Sequence, residues 1–259
     1  MIYETIRLEI EDGLAVLVLN RPDKMNALTT QMRAEVTDAL KRAGREARVV
    51  VMTGEGRAFC TGQDLTDGGA NSGPMDLERT LRDEYDPLIR AIVDSPIPVV
   101  AAVNGPAAGA GANIALAADV VIATQSAYFL QAFSRIGLIP DAGGTYTLPR
   151  AVGMAKAKGA ALFAEKITAE QADAWGMIWE AVPDGEFEAV WRARARQLAE
   201  GPTKTYQAII QAMDASLSNS FDEQLALEAK LQGECGRSRD FSEGVLAFVE
   251  KRAPKFEGR

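Results

Sequence analysis

Two glycine-rich segments decide the fold of this chain: GRAFCTGQDL at Gly56–Leu65 and VNGPAAGAGAN at Val103–Asn113. Each follows a short apolar run typical of a buried strand, and each opens into a polar or helical stretch. Glycine lets the main chain turn sharply and approach a ligand closely, so both segments can leave backbone N–H groups free. Two such groups aimed at one oxygen would bind a carbonyl compound. The pattern therefore predicts repeated strand–helix units with a carbonyl-binding site between two loops.

A third segment, SRIGLIPDAGGTYTLP at Ser134–Pro149, places one carboxylate, Asp141, among apolar and glycine residues. Poor solvation raises the pKa of a carboxylate and makes it a better base near neutral pH. The competing interpretation is an aspartate that forms a turn before Gly143 and Gly144. Next to the two donor loops, the segment predicts proton transfer beside a carbonyl.

Charge and residue types exclude several classes of function. The 259 residues carry a net charge of −8, which argues against nucleic acid and anionic membranes as partners. The chain contains no histidine, so Ser-His-Asp and Cys-His systems and imidazole-ligated zinc are excluded. Its two cysteines are too few for a thiolate zinc site and fit a reducing compartment. With no apolar run long enough for a membrane span and no secretory signal visible, we expect a cytoplasmic protein without a metal.

Alternating strand and helix signals predict an α/β core over residues 1–200, followed by a helical region over residues 201–259. The chain opens with a hairpin that turns at Asp12-Gly13 and a helix capped at Thr29 or Thr30. The further predicted elements are strands at Val49–Thr53, Val99–Val103 and Asp119–Thr124, helices at Leu77–Val93 (kinked at Pro87) and Ala108–Ala118, and capping boxes at Thr168–Gln171 and Ser220–Glu223. A glycine-rich loop at 68–74 is expected to be mobile and to help shape a pocket.

Four motifs in order make the chain similar to the crotonase superfamily, also called the enoyl-CoA hydratase/isomerase family. They are Arg21-Pro22 with Asn26-Ala27-Leu28, Gly56–Leu65, Asn104-Gly105 with Gly109-Ala110-Gly111, and Gly137–Asp141 with Gly143-Gly144-Thr145. The resemblance implies an α/β fold with a ClpP-like ββα spiral core and a C-terminal helical trimerisation region. It also implies a homotrimer or dimer of trimers that acts on acyl-CoA, with no cofactor beyond the CoA of the substrate.

By motif position, the resemblance assigns an oxyanion hole to the N–H groups of Gln63 and Ala110 and leaves Asp141 as the base. Hydratases of the family use two glutamates, and their positions are Asn113 and Phe133 in this chain. Neither residue can transfer a proton, so water addition by paired carboxylates is disfavoured. A single carboxylate beside an enolate-stabilising site favours proton removal at Cα and return at Cγ, which shifts a double bond.

The same resemblance implies a set of substrate-binding and CoA-binding residues: Lys24, Asn26, Ala27, Ala58, Asp64, Leu65, Phe133, Phe248 and Lys251. The last two resemble the tail that reaches the CoA of a neighbouring subunit. The competing interpretation is a solvated surface role for Lys24 and capping or loop closure for Asp64. Tyr85 is a candidate for the acyl pocket and equally a plain core residue.

Segments 62–65, 132–141 and 174–179 resemble most the family's isomerases of phenylacetate catabolism. That resemblance implies conversion of the ring-1,2-epoxide of phenylacetyl-CoA to its oxepin form and a double-bond shift in dehydroadipyl-CoA. Three alternatives stay open. They are a Δ3-Δ2-enoyl-CoA isomerase or hydratase of aliphatic chains, an aromatic acyl-CoA dehalogenase with Asp141 as nucleophile, and a non-catalytic acyl-CoA-binding module.

Overall fold

The strands of the computed structural model, which describes residues 3–67 and 76–259, form a six-stranded sheet and a three-stranded sheet. In chain order they are β1 (Ile6–Glu11), β2 (Leu14–Leu19), β3 (Val49–Gly54), β4 (Val99–Val103), β5 (Ala107–Ala108), β6 (Val120–Thr124), β7 (Tyr128–Leu130), β8 (Ile167–Thr168) and β9 (Glu180–Val182). The large sheet has the order β1-β2-β3-β4-β6-β9, and the small sheet has the order β5-β7-β8. The loop predicted at 68–74 lies outside the described residues.

The helices lie between and after these strands. They are α1 (Thr30–Glu46), α2 (Leu77–Thr80), α3 (Asp86–Val93), α4 (Ala110–Leu116), α5 (Gly144–Phe163), α6 (Ala169–Ala174), α7 (Phe187–Glu200), α8 (Thr203–Ala215), α9 (Phe221–Cys235) and α10 (Arg239–Glu250). Short 3-10 segments lie at Pro22–Lys24 and Ala132–Ile136, and a π-helical turn at Leu81–Tyr85 joins α2 to α3. A break at Gly153, with φ 76° and ψ 161°, interrupts α5.

The centre of the large sheet is buried on both faces. Strands β2, β3, β4, β6 and β9 pair in parallel, and β1 joins antiparallel to β2. On one face, Val50 and Met52 of β3 enter the core that α1 and α3 share. On the other face, Val49 and Val51 pack with Trp191 of α7. Burial on both sides explains why β3 is a continuous apolar run rather than an alternating one.

The small sheet holds the second glycine-rich loop against the first. Strand β5 pairs in parallel with β7, and an isolated bridge joins Cys60 to Ala107. The N–H of Ala108 donates to the carbonyl oxygen of Cys60 at 2.9 Å. Both loops follow the carboxyl ends of neighbouring parallel strands, β3 and β4, where open α/β sheets bind ligands. The two glycine-rich segments therefore lie side by side.

The predicted α/β fold class is confirmed, and so are the predicted hairpin turn, helix cap and capping boxes. The hairpin forms at Asp12-Gly13, and the Thr29 hydroxyl caps α1 by accepting from the N–H of Met32 at 3.2 Å. Both predicted capping boxes are present, at the starts of α6 and α9. Helix α7 packs on the large sheet, and α8 packs on α9. The division at residue 200 stays a prediction.

Two predicted helix details are wrong. The helix predicted at Ala108–Ala118 begins at Ala110, because β5 takes Ala107 and Ala108 into the small sheet. The helix predicted over Leu77–Val93 departs from regular geometry before the proline, in the π-helical turn. Pro87 itself lies in the first turn of α3, where a missing N–H costs no helical bond.

Candidate active site

The first glycine-rich loop presents the N–H of Gln63. The N–H of Leu28 donates to the oxygen of Gly62 at 2.8 Å, and the N–H of Asp64 donates to the oxygen of Leu28 at 2.9 Å. In this short parallel bridge, Leu28 pairs with the oxygen of Gly62 and the N–H of Asp64. The N–H of Gln63 takes no part in the bridge. Among the residues that the structure describes, the N–H of Gln63 has no acceptor. It is a main-chain donor held in place and available to a ligand.

The second loop presents the N–H of Ala110. Gly109 has φ 55° and ψ −130°, donates its N–H to the oxygen of Leu130 at 2.8 Å, and turns the chain from β5 into α4. Ala110 is the first residue of α4, and the first N–H groups of a helix have no partner within it. Its N–H finds no acceptor within residues 3–67 and 76–259. The helix dipole adds positive potential at this donor.

The two loops are in backbone contact. A Cβ atom placed on Gly62 would lie 3.4 Å from the nitrogen of Ala110 and 3.0 Å from the oxygen of Ala108. A Cβ atom on Gly109 would lie 3.9 Å from the ring of Phe133. Gly62, which precedes Gln63, therefore lies against Ala110, so the two free N–H groups are close together, and the ring of Phe133 lies next to Gly109.

Asp141 carries a carboxylate oxygen without a partner. Its Oδ1 is buried and makes no hydrogen bond among the described residues. Burial raises the pKa of Asp141 to about 6, against the opposing effect of a backbone hydrogen bond. Burial raises the pKa of Tyr85; the positive charge of Arg33 opposes this shift, and the negative charge of Asp141 adds to it. A partly desolvated carboxylate with a free oxygen has the properties of a general base.

The positions of the two family glutamates hold groups that cannot transfer protons. Asn113 is fully buried; its Nδ2 donates to the main-chain oxygen of Asp141 at 2.8 Å, and its Oδ1 accepts from Nε2 of Gln131 at 2.8 Å. Because a carbonyl oxygen only accepts, the orientation of the Asn113 amide is determined. Phe133 contributes a buried ring. Asn113 therefore anchors the loop that carries the base.

Arg21 joins two of the predicted binding residues. Its guanidinium donates to Oδ2 of Asp64 at 2.9 Å and to the oxygen of Ala27. Oδ1 of Asp64 accepts from the hydroxyl of Thr66 at 2.6 Å and from its N–H at 3.0 Å. The Thr66 hydroxyl, together with Arg21, lowers the pKa of Asp64 to about 2, although burial opposes the shift. These contacts favour loop closure as the role of this carboxylate.

The side chain of Asn26 is structural. It is fully buried, and its Nδ2 donates to the oxygens of Glu55 at 3.0 Å and Ala58 at 2.8 Å. Its Oδ1 accepts from the N–H of Arg21 at 2.8 Å. The backbone has φ 55°, a left-handed conformation that asparagine tolerates. Since Ala58 is also fully buried, neither side chain can reach a CoA molecule.

We expect Asn26→Ala to lower the free energy of unfolding by about 2–4 kcal/mol. The substitution removes three hydrogen bonds to main-chain groups, one of them fully buried, and puts alanine at a positive φ. Urea unfolding followed by circular dichroism measures the effect. Lys24→Ala, at an exposed neighbouring position, is the matched control and should change stability by less than about 0.5 kcal/mol. Equal midpoints for the two variants would contradict the structural role of Asn26.

The remaining predicted binding residues are exposed. Lys24 and Leu65 lie at the surface of the first loop region, and Phe248 and Lys251 lie at the end of α10. Phe248 is 86% exposed. Within the described residues, no hydrogen bond joins α10 to either glycine-rich loop. In one chain the candidate site therefore consists of the two donors, Phe133 and Asp141.

Arg33 was missed by the sequence analysis. It lies on the buried stripe of α1, three residues before Val36 and seven before Leu40, where helical spacing predicts an apolar side chain. It is only 2% exposed and contacts the side chain of Gln63. A charge at an apolar position of an amphipathic helix is the signal that could have identified it.

Some kinds of site are absent from the described residues. There, no three Asp, Glu, His or Cys side chains are grouped so that they could hold a metal ion. No helix in the same ranges has the length and hydropathy to cross a membrane. Cys60 and Cys235 are free thiols, and burial raises the pKa of Cys60 to about 12, which makes it unreactive.

Comparison with known proteins gives one consistent family. A family model described as "Enoyl-CoA hydratase/isomerase" matches residues 9–259. A Rhodobacter capsulatus protein named "Probable enoyl-CoA hydratase" is 64% identical over 100% of both chains. An Escherichia coli protein named "1,2-epoxyphenylacetyl-CoA isomerase" is 45% identical over 99% of both chains. The crystal structure of an enoyl-CoA hydratase from Bacillus anthracis has a TM-score of 0.91 and 28% identity, covering 99% of this chain and 100% of the other.

Proposed function

The chain belongs to the enoyl-CoA hydratase/isomerase family, the crotonase family, whose enzymes act on CoA thioesters, and we propose that it is an isomerase. The observation that carries this proposal is the lone carboxylate of Asp141, with a buried, unpaired Oδ1. The thioester carbonyl would lie between the N–H groups of Gln63 and Ala110, whose hydrogen bonds strengthen as negative charge develops on the oxygen.

One carboxylate is sufficient for the proposed reaction. Asp141 takes a proton from the carbon alpha to the thioester, and the electron pair moves into an enolate whose oxygen the two N–H groups stabilise. The same carboxyl group then returns the proton at the gamma carbon, so the double bond shifts and no atom is gained or lost. A cofactor has no role in this sequence beyond the CoA carried by the substrate.

We propose two substrates. In the ring-1,2-epoxide of phenylacetyl-CoA, loss of the alpha proton would form a double bond from the alpha carbon to the ring, and the C–C bond shared by the epoxide and the ring would break. The proton would then return to a ring carbon, which gives the oxepin form with no atom gained or lost. A dehydroadipyl-CoA would undergo the double-bond shift. The name of the E. coli relative, at 45% identity, supports the first substrate.

Hydration is the second candidate, because the Rhodobacter capsulatus relative at 64% identity is named a hydratase. Against it, Asn113 has its amide fully engaged and Phe133 carries no proton. The decisive experiment measures turnover of ring-epoxide, dehydroadipyl and crotonyl CoA esters side by side. We expect the first two to react and crotonyl-CoA to be hydrated slowly. Fast hydration of crotonyl-CoA alone would overturn the proposal in favour of a hydratase.

The same panel distinguishes the remaining alternatives. A Δ3-Δ2-enoyl-CoA isomerase would prefer aliphatic β,γ-unsaturated esters over the ring substrate. With a halogenated aromatic acyl-CoA, a dehalogenase would form a covalent adduct on Asp141 that mass spectrometry detects. Binding of every ester without turnover would identify a binding module.

The pH profile should follow the raised pKa of Asp141. The base must be ionised to accept a proton, so kcat/KM should fall as the pH drops below about 6. An unperturbed aspartate would keep activity down to about pH 4. The measurement is kcat/KM of the isomerisation from pH 4.5 to 8. A limb that stays flat to pH 4.5 would contradict the assignment of a desolvated base.

We also propose a homotrimer or dimer of trimers in the cytoplasm. The support for the assembly is a set of exposed apolar side chains on α5 and on α9–α10: Met154, Leu162, Phe163, Phe221, Leu225, Phe241, Val245, Phe248 and Val249. Apolar surface on this scale is typical of protein interfaces. Light scattering should give a mass of three or six copies of the 27.8 kDa chain, and a monomer would contradict the proposal.

A further inference from the structure

A buried arginine lies behind the candidate oxyanion loop. Arg33 is 2% exposed at the end of the first turn of α1, on the buried apolar face of that helix. A buried charge is costly unless its hydrogen-bonding groups are satisfied and its charge is paired. The hydrogen bonds of the Arg33 guanidinium therefore indicate the role of this buried charge.

All five N–H groups of the Arg33 guanidinium have acceptors. Nε donates to Oε2 of Glu84 at 3.0 Å, and Nη2 donates to Glu84 and to the Thr30 hydroxyl, the latter at 3.0 Å. Nη1 donates to the oxygen of Leu28 at 3.2 Å and to Oε1 of Gln63 at 2.6 Å. The guanidinium joins α1, the strand-like segment at Leu28, the π-helical turn and the oxyanion loop.

Gln63 is held from two sides. Its Oε1 accepts from Arg33 and also from the hydroxyl of Tyr85 at 2.7 Å. An arginine only donates, so the atom that faces it must be the amide oxygen, and its two lone pairs are both used. The guanidinium also lies over the ring of Tyr85, with CZ 4.8 Å from the ring centroid. Tyr85 is thereby held against both Gln63 and Arg33.

We propose that Arg33 is a positioning residue for the reaction, acting through the side chain of Gln63 to orient the main-chain N–H of the same residue. This inference rests on the proposed oxyanion role of that N–H. The Leu28 N–H holds the oxygen of the Gly62–Gln63 peptide at 2.8 Å, and the anchored side chain of Gln63 restrains the nitrogen end of the same peptide. Tyr85 supplies the second restraint. The π-helical turn is the segment that presents Glu84 and Tyr85 to the same guanidinium.

The test compares wild type with Tyr85→Phe, Arg33→Lys, Gln63→Met and the double variant Tyr85→Phe/Gln63→Met. Tyr85→Phe removes one hydrogen bond and keeps the ring, and Arg33→Lys keeps the charge opposite Glu84. We expect kcat to fall about tenfold in each single variant, with KM within twofold, because a small misplacement of a catalytic group is costly. The double variant should lose no more than Gln63→Met alone, since both changes act on one bond. Additive losses would overturn the proposal.

A spectroscopic readout separates this inference from the isomerase proposal. Hydrogen bonds to a thioester carbonyl shift the absorbance of bound 2,4-hexadienoyl-CoA to longer wavelength, whether or not the compound reacts. We expect a smaller shift in Tyr85→Phe and Arg33→Lys than in wild type. Tyr3→Phe, which removes a 2.8 Å hydrogen bond to Asp38 in the middle of α1, five residues after Arg33, is the matched control and should match wild type. Equal shifts in all variants would overturn the positioning role, whereas a normal shift in wild type without isomerase turnover would overturn only the proposed function.

Discussion

Asp141→Asn is expected to reduce kcat of the isomerisation by about 10²–10⁴-fold, the usual contribution of a general base. The amide has nearly the same shape as the carboxyl group and keeps the main-chain bonds to Asn113 and Gly144. It cannot accept the proton, so chemistry should fail while binding persists. Single-turnover kinetics on the best substrate of the panel measures the effect, and KM should change little.

The same substitution is expected to stabilise the protein at pH 7. Burial raises the pKa of Asp141 to about 6, so ionising it costs more in the folded than in the unfolded state. This destabilisation of the folded state is absent below pH 4, where the carboxyl group is protonated, and it grows as the pH rises through 6. Removing the charge should therefore raise the free energy of unfolding at pH 7 by up to about 3 kcal/mol and leave it unchanged near pH 3.5. Urea unfolding at the two pH values measures the difference.

Two controls accompany this prediction. Asp141→Glu keeps a carboxyl group but extends it by one methylene, and we expect activity between those of wild type and Asp141→Asn. Asp83→Asn removes the same charge from an exposed position and should change neither activity nor stability appreciably. Near-wild-type turnover in Asp141→Asn would refute the assignment of the base.

Gly62→Ala is expected to reduce kcat by about 10²–10³-fold, the cost of losing one oxyanion donor. A main-chain donor cannot be removed by truncating a side chain, but it can be displaced or covered. The new methyl group would lie 3.4 Å from the nitrogen of Ala110 and 3.0 Å from the oxygen of Ala108. It would also have to adopt φ 90°, which is strained for any residue with a Cβ. The loop must therefore shift, and the two N–H groups separate.

Gly185→Ala is the matched control for this variant. Gly185 has no atom within 4 Å of the position of its Cβ and no positive φ, so alanine is tolerated there. Both variants are compared by kcat and by urea unfolding, because Gly62→Ala also loses some stability from the strained backbone. If Gly62→Ala is folded and retains wild-type kcat, the space between the two loops is not the oxyanion hole.

The sequence was sufficient to predict the elements whose formation depends on residues close together in the chain. The Asp12-Gly13 turn, the Thr29 cap and the capping box at Ser220 depend on side chains within four residues of each other. The apolar run of β3 likewise predicts a buried strand, because both faces of the sheet are covered.

Elements that depend on distant partners were mispredicted or missed. Ala107 and Ala108 have helical propensity, but pairing with β7 draws them into a strand, and only the tertiary structure supplies that partner. Arg33 interrupts an apolar stripe, and its role becomes visible only when Glu84 and Tyr85 lie beside it. The family motifs pointed to Gln63 and Ala110, whereas the side-chain bonds to Gln63 come from Arg33 and Tyr85, which lie outside those motifs.

The anchored amide of Asn113 also limits how this enzyme could evolve. A Cβ on Gly144 would lie 2.2 Å from its Nδ2, so the space around the side chain is already full. A glutamate at position 113 would lose the donor to Asp141, place a second negative charge beside that loop, and need room for one more methylene. Given the proposed isomerase function, a change to hydration by two glutamates would therefore require replacements at 113 and 133 and adjustment of their neighbours at 131 and 144. A replacement at 113 alone would remove the bond that holds the main chain at Asp141 while it supplied only one of the two glutamates.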